Sequence, residues 1–132
     1  MNISVAAQRS GVSAKTIRYY ESIALIPSAE RSANGYRAYS ESEVHTLRFI
    51  RRARRLNFSA EEIRSLLDLW RDTRRSSNKV KVLASQHLTE LDRKIAELEA
   101  MRRTLAQVIE RCHGGDRPDC AILDDLACDA EA

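Results

Sequence analysis

One long segment of the sequence most constrains what the chain can fold into. From Lys79 to Arg111 there is neither glycine nor proline, and apolar residues recur at seven-residue intervals with one charged interruption. The spacing is that of coiled-coil core positions, so it predicts a long helix whose apolar seam needs a partner helix. We expect a second copy of the chain to supply the partner, because the short RRSSN connection disfavours folding back onto earlier helices. The two interleaved series are Ala84, Leu91, Leu98 and Leu105, and Leu88, Ile95, Arg102 and Ile109.

Charge is unevenly distributed along the 132 residues. Residues 1–75 hold 14 Lys and Arg against 8 Asp and Glu, whereas residues 76–132 hold 8 against 11. A basic first part joined to an acidic second part fits a module that binds a polyanion such as nucleic acid. No apolar run approaches the roughly 18 residues that span a bilayer, and the N-terminus lacks the pattern of a signal peptide. We therefore expect a helix-rich cytoplasmic protein with no membrane contact.

Two short helices around a tight turn are predicted at the N-terminus. Apolar residues at helical spacing begin at Ile3, the pattern breaks at Gly11, and it restarts at Ser13, a favoured N-cap residue. Ala7 would let the two helices approach each other, and Ile17 would pack between them. This pattern indicates a helix-turn-helix, the motif whose second helix enters the major groove of DNA.

A hairpin and two further helices are predicted next. The Asn-Gly pair at 34–35 is the pair best suited to a type I′ hairpin turn. Ser40 with Glu43, and Ser59 with Glu62, form capping boxes that predict two helix starts. The residues expected in the core of these helices are Val44, Leu47, Phe49, Ile50, Ile63, Leu66, Leu67 and Trp70.

Basic and aromatic side chains on these elements predict a surface that binds DNA. Those on the second helix lie on or beside the face opposite Ile17, where they can reach base edges or phosphates. Those on the hairpin and at the end of the third helix would contact phosphates on either side. Dimerisation would present two such surfaces to a palindromic site in double-stranded DNA. The predicted DNA-binding residues are Lys15, Arg18, Tyr20, Arg31, Tyr36, Arg37 and Arg54, with Arg55 as the alternative to Arg54.

Two of the three cysteines, Cys112 and Cys120, end the segment CHGGDRPDC directly after the long helix. Thiolates are soft ligands that favour Cu(I), Ag(I) or Au(I), or Zn(II) when more ligands are present. Two thiols at the ends of a loop that Gly114, Gly115 and Pro118 allow to reverse fit a linear, two-coordinate monovalent ion. We therefore favour Cu(I), with Ag(I) and Au(I) as mimics. The possible additional ligands of a zinc site are His113, Asp116 and Asp119.

Other classes of function stay open on the residues alone. A thiol-redox or zinc sensor would use the same two cysteines, and a metal carrier without DNA binding would use the same dimer helix. Cys128 lies in the acidic tail and is expected to be a dispensable exposed thiol. An enzyme is disfavoured, because the sequence has no HExxH motif and no phosphate-binding glycine loop.

The sequence resembles the MerR family of transcription regulators, and within it the copper-responsive CueR type. The resemblance covers nearly the whole chain: MNIS, AKTIRYYE, the wing RSANGYRAYS, RRARRLNFSAEEI, the long helix, and two cysteines separated by seven residues and followed by AIL. It implies a mainly α fold. A winged helix-turn-helix DNA-binding domain would occupy residues 1–75, an antiparallel coiled-coil dimerisation helix 76–111, and a metal-binding loop with the C-terminal tail 112–132.

The resemblance also implies a mechanism. A homodimer would hold metal between Cys112 and Cys120 at its interface, with Ser77 and Lys81 of the partner subunit beside the site. In that family a cysteine at the position of Ser77 goes with divalent metals, and Lys81 matches a lysine that helps to neutralise buried charge. The dimer would bind a promoter whose elements are too far apart for RNA polymerase. It would bend and untwist that DNA when metal binds, and so activate copper efflux and detoxification genes.

Overall fold

The computed structural model describes residues 1–28, 30–31, 37–112, 114–115 and 118–128. It is mainly helical, which confirms the predicted fold class, and it divides into two compact units, residues 1–80 and 81–132. The predicted domain limits at 75 and 111 stay predictions. In chain order the elements are α1 (Ile3–Ser10), α2 (Ala14–Ser22), β1 (Glu30–Arg31), β2 (Arg37–Ala38), α3 (Glu41–Arg55), α4 (Ala60–Arg71), α5 (Ser77–Arg111) and α6 (Ala121–Leu126).

The helix-turn-helix is formed by α1 and α2, as the sequence predicts. Asn2 caps α1 by accepting a hydrogen bond from the Val5 N–H at 2.9 Å. Gly11 ends the helix in the left-handed conformation with φ 76°, which a glycine adopts without steric cost. Ser13 caps α2 by accepting from the Thr16 N–H at 3.1 Å. The short turn brings α2 back against α1.

The packing between α1 and α2 agrees with the prediction except that a different alanine is buried. Ile17 is fully buried, as predicted, and the alanine that is fully buried beside it is Ala6. Ala7, the alanine expected at the closest approach, is only half-buried. One residue along a helix changes the direction of a side chain by about 100°, so a shift of one position moves the contact to the neighbouring alanine.

The wing consists of two short antiparallel strands. Glu30 pairs with Ala38, and Arg31 pairs with Arg37. The predicted Asn-Gly turn at 34–35 lies outside the described residues. After β2, Tyr39 holds the N-terminus in place: its N–H donates to the Met1 carbonyl at 2.7 Å, and the terminal amine donates to the Tyr39 carbonyl at 2.9 Å.

Helices α3 and α4 complete the N-terminal unit, and both begin at the predicted serine caps. Ser40 accepts from the Glu43 N–H at 3.1 Å. Ser59 and Glu62 form a full capping box, with each side chain bonded to the backbone of the other residue. α1 packs on both α2 and α3, and α3 packs on α4. Their shared core contains, among others, Ile17, Val44, Leu47, Ile50, Ile63 and Leu67.

Trp70 does not belong to that core, so its prediction as a core residue is wrong. Its exposed fraction is 37%, and its ring stacks on Phe49 with centroids 4.5 Å apart. The ring of His45 lies next to Trp70 at 5.3 Å. Trp70 follows the buried Leu67 by three positions and lies in the last turn of α4, where one part of its ring packs on α3 and the rest is exposed.

The C-terminal unit contains most of α5 and the short helix α6. Most apolar side chains of the heptad series are exposed, although Leu91 is half-buried. The exposed fractions lie between 52% and 63% for Leu88, Ile95, Leu98, Leu105 and Ile109. Arg93, on another face, pairs with Glu90 and Glu97. Among the described helices, none combines the length and apolarity that crossing a membrane requires.

Candidate DNA-binding surface and metal centre

Helix α2 presents the first part of the candidate DNA-binding surface. Lys15 and Arg18 are exposed, as expected for residues opposite the buried Ile17. Tyr19, which is not among the predicted DNA-binding residues, is also exposed, with 56% of its surface accessible. It follows Arg18 directly and carries the accessible aromatic ring of this face. The helical phase set by Ile17 was the signal that could have identified it.

The placement of Tyr20 on the outward face is wrong. Tyr20 is buried, because it follows Ile17 by three residues and therefore shares the inward face of the helix. Burial is the main cause that raises the pKa of Tyr20, and the charge of Arg54 opposes that rise. The ring supports the helix-turn-helix from inside, and a direct contact with DNA stays a prediction.

The remaining predicted DNA contacts lie on the wing and at the end of α3. Arg31 and Arg37 lie directly opposite each other on the two paired strands of the wing. Tyr36 lies outside the described residues. Arg54 is exposed, but its Nη1 donates a hydrogen bond to the Phe58 carbonyl at 3.0 Å and so helps to close the turn after α3. Their contacts with DNA stay predictions.

The candidate metal centre is formed where α5 ends and α6 begins. Cys112 directly follows α5, with its N–H donating to the Ile109 carbonyl at 3.0 Å. Cys120 is the N-cap residue of α6. Both thiols are free and half-buried, whereas the thiol of Cys128 is exposed. Gly114 and Gly115 lie between them with φ values of 69° and 88°, a left-handed backbone that reverses the chain.

The surroundings of Cys120 favour its thiolate form. The backbone N–H of Leu123 lowers the pKa of Cys120 most, burial opposes this, and the N–H of Ile122 and the side chain of Cys112 lower it further. The negative charge of Asp124 acts in the opposite direction. No side-chain hydrogen bond from the sulfur caps α6, so these N–H groups act mainly as nearby dipoles. Thiolate is the form that binds metal.

The Cys112 side chain lies near enough to Cys120 to lower the pKa of its thiol. Within the described residues, no group of three or more His, Cys, Asp or Glu side chains converges in a way that could hold a metal ion. Of the additional ligands considered, Asp119 is exposed, and the other two, His113 and Asp116, lie outside the described residues. The described donor set is therefore a pair of thiols.

The other residues predicted beside the metal lie at the start of α5. Ser77 is its first residue, Lys81 lies about one turn further, and both side chains are exposed. Their role requires a partner subunit and stays a prediction. At the other end of α5, Arg111 pairs with Asp125 of α6 at 3.8 Å. An apolar groove of about 400 Å³ separates α5 from α6, lined by residues that include Met101, Leu105, Val108, Ile122 and Leu126.

A helix-turn-helix with an exposed basic recognition helix and an antiparallel wing defines a DNA-binding transcription regulator, not an enzyme. The chain belongs to the MerR family. The family model described as "MerR HTH family regulatory protein" matches residues 1–70. A second model, "MerR, DNA binding", matches residues 44–108.

Individual relatives match over nearly the whole chain. "Heavy metal-dependent transcription regulator 2" of Rhizobium meliloti is 54% identical over 96% of this chain and 86% of its own length. The regulator CueR of Salmonella typhimurium is 40% identical over 96% of this chain and 92% of its own. The crystal structure of PbrR691 from Ralstonia metallidurans, in complex with lead(II), superposes with a TM-score of 0.81 at 31% identity, covering 96% of this chain and 98% of that one.

Proposed function

We propose that this regulator senses Cu(I), with Ag(I) and Au(I) as mimics, and activates copper efflux and detoxification genes as a homodimer. The observation that carries the proposal is a pair of free, half-buried thiols, Cys112 after the end of α5 and Cys120 at the start of α6, with no group of three ligands among the described residues. The similarity to a heavy metal-dependent regulator at 54% identity and to CueR at 40% supports the same class of signal.

The chemistry of the donor set fits a monovalent soft ion. Two thiolates satisfy an ion that prefers linear, two-coordinate binding, whereas structural zinc normally needs four protein ligands. Binding of Cu(I) would supply a link between the two sulfurs. This link would fix the position of α6 relative to the end of α5.

Charge around the thiols supports the proposal further. Two thiolates with one monovalent ion leave one net negative charge, which is costly to bury without positive partners. The N–H groups of Ile122 and Leu123 already stabilise negative charge on Cys120. In our proposal Lys81 of the partner subunit provides a further positive charge, and Ser77 of the partner subunit covers the site without adding a third thiolate.

The long helix explains why a partner subunit is needed. α5 contains 35 residues, so its two ends lie about 50 Å apart along the helix axis. Ser77 and Lys81 therefore cannot reach the thiols that follow the same helix. An antiparallel coiled coil through the exposed heptad residues would place the start of one α5 beside the end of the other.

The proposed dimer would act on promoter DNA by distortion. It would bind a palindromic site between promoter elements that are too far apart for RNA polymerase. Bending and untwisting a duplex costs on the order of 1–10 kcal/mol. Metal can supply that free energy only by binding one protein conformation more tightly than the other. We propose that the two thiols are held in the geometry that binds metal in only one of the two conformations.

An alternative is a divalent-metal or thiol-redox sensor of the same family. The lead(II) complex of PbrR691 at 31% identity favours the divalent form. The two free thiols at the ends of one short segment favour the redox form, because thiols that come into contact can be oxidised to a disulfide. Both alternatives use the same DNA-binding unit.

A competitive metal titration tests the proposal. The reduced full-length protein is titrated with Cu(I) in the presence of a chromogenic Cu(I) chelator and excess thiol. We expect one Cu(I) per chain, lost in Cys112→Ser and in Cys120→Ser, and retained in the matched control Cys128→Ser. Stoichiometric Zn(II) binding that outcompetes Cu(I) would support the divalent form. A response to peroxide that copper does not reproduce would support the redox form.

A further inference from the structure

A basic groove lies in the N-terminal unit between the helix-turn-helix and the end of α3. Its volume is about 340 Å³. Of the arginines that line it, Arg54 is among the predicted DNA-binding residues, Arg55 is the alternative to Arg54, and Arg51 has no predicted role. The turn and the first part of α2 form one wall, and arginines of α3 form the other. Its lining includes Gly11, Ser13, Thr16, Tyr20, Arg51, Arg54 and Arg55. A smaller neighbouring groove shares Arg51 and Arg55.

The arginines of α3 differ in what their side chains hold. Arg48 donates two hydrogen bonds to a backbone carbonyl of α1, at 3.0 and 2.8 Å, and Arg54 donates to the carbonyl that follows α3. Arg51 and Arg55 are exposed and, within the described part of the chain, have neither a hydrogen bond nor an ion pair. Two guanidinium groups at one groove repel each other, so an anion between them would be favoured.

Gly11 leaves room for the side chain of Arg51. A Cβ at position 11 would stand 3.0 Å from both Cζ and Nε of Arg51, so the guanidinium is packed directly against the turn of the helix-turn-helix. A side chain at position 11 would require the guanidinium to shift by a few tenths of an ångström. Arg51 therefore packs close to the start of α2, the helix that carries the exposed Lys15 and Arg18.

We propose that this groove binds a phosphate of the DNA backbone, with Arg51 and Arg55 as its ligands and Gly11 as the residue that positions Arg51. A guanidinium group offers paired N–H donors that match phosphate oxygens. Contacts with phosphates fix the register of a recognition helix on the duplex without reading sequence. The proposal rests on DNA binding by this unit and adds two contacts to it.

Salt-dependent DNA binding tests the groove. Binding of the full-length protein to a fluorescein-labelled 40-base-pair duplex of random sequence is measured by anisotropy across a series of NaCl concentrations. The slope of log K against log salt is negative, and each lost phosphate contact reduces its magnitude by about 0.9 per bound protomer. We expect that loss, with a several-fold weaker affinity at fixed salt, for Arg51→Gln and for Arg55→Gln. The matched control is Arg71→Gln, which removes the same charge from the exposed end of α4.

The outcomes separate this proposal from the function itself. If the wild-type protein shows no salt-dependent binding, DNA binding by this unit is wrong. If it binds and both groove variants behave like Arg71→Gln, the groove proposal is overturned while DNA binding stands.

A substitution at position 11 tests the positioning role. Asn tolerates the left-handed backbone of Gly11, but its Cβ would shift the Arg51 guanidinium by a few tenths of an ångström. We expect Gly11→Asn to weaken DNA binding by less than Arg51→Gln does, and to add nothing in the Arg51→Gln background. Far-UV circular dichroism verifies the helix content of each variant. Additive losses in a folded double variant would overturn the positioning role of Gly11.

Discussion

The two units of this molecule place their apolar residues in opposite environments. In residues 1–80, Leu47 and Ile63 are completely buried in a core that one chain completes by itself. In residues 81–132, Leu98 and Leu105 of α5 are more than half exposed. The DNA-binding unit is therefore self-sufficient, whereas the apolar side chains of α5 stay exposed in a single chain. If α5 pairs with a second copy, as we propose, substitutions in the core of the first unit should change its stability without changing the assembly.

The largest expected effect breaks the assembly. Leu98→Asp combined with Leu105→Asp would remove four leucines from the interface of a dimer and introduce four charges. Losing that burial costs on the order of 6–12 kcal/mol, so we expect monomers at micromolar concentration. Sedimentation velocity measures the change. The control, Thr89→Asp with Ala96→Asp, adds the same charge on another face of α5 and should stay dimeric.

A dimeric Leu98→Asp, Leu105→Asp variant would show that this seam is not the interface. The N-terminal unit should keep its structure in both double variants, because its core contains no residue of the seam. Unfolding of the N-terminal unit together with loss of the dimer would show that the two units are not independent.

The next largest effect lies in the core of the N-terminal unit. Leu47→Ala should lower the free energy of unfolding by about 2–5 kcal/mol, because it leaves a cavity in place of a completely buried side chain. Urea denaturation followed by circular dichroism measures it. Leu56→Ala is the matched control: half of Leu56 is exposed, and we expect a change within about 0.5 kcal/mol. Equal losses in the two variants would contradict the core assigned here.

Patterns that depend on local chemistry could be predicted from the sequence. The caps at Ser13, Ser40 and Ser59, the turn at Gly11 and the heptads of α5 each use only residues a few positions apart. The same locality explains why the thiol pair could be identified, since a short loop joins both cysteines.

The environments of other side chains depend on tertiary packing. Tyr20 is an exception, because its spacing of three residues from Ile17 already implies burial. Trp70 has the spacing of a core residue, but its indole lies at the surface, stacked on Phe49 of α3. The difference between Arg51, which is free to bind an anion, and Arg48, which holds a backbone carbonyl, follows from contacts between distant segments. Composition and spacing do not contain that information.

Metal should stabilise the second unit and leave the core of the first unchanged. At a free Cu(I) concentration of 100 times Kd, binding adds about 2.7 kcal/mol to the stability of the bound form. Hydrogen exchange measured by mass spectrometry should show slower exchange around Cys112 and Cys120, and unchanged exchange for the buried residues of α3. Cys112→Ser should abolish the difference. Equal protection of both units would mean that they do not respond independently.

The smallest expected effect concerns one exposed ion pair in each unit. A hydrogen bond from Arg9 is the main cause that lowers the pKa of Glu41, and one from Arg93 is the main cause that lowers the pKa of Glu90. A carboxyl with a lower pKa in the folded state binds fewer protons than in the unfolded state. Its contribution is therefore present above the ordinary Glu pKa of about 4.3 and is lost as the pH falls through the lower, folded value.

The two ion pairs differ in what they connect. Arg9 and Glu41 join α1 to α3, whereas Arg93 and Glu90 are three residues apart on a single helix. We expect Arg9→Gln to reduce the loss of thermal stability of the N-terminal unit between pH 7 and pH 3, and Arg93→Gln to leave that loss unchanged. Circular dichroism melts at both pH values measure it. An unchanged pH dependence in Arg9→Gln would mean that the pair, although formed, contributes nothing to holding α1 on α3, as is common for exposed ion pairs.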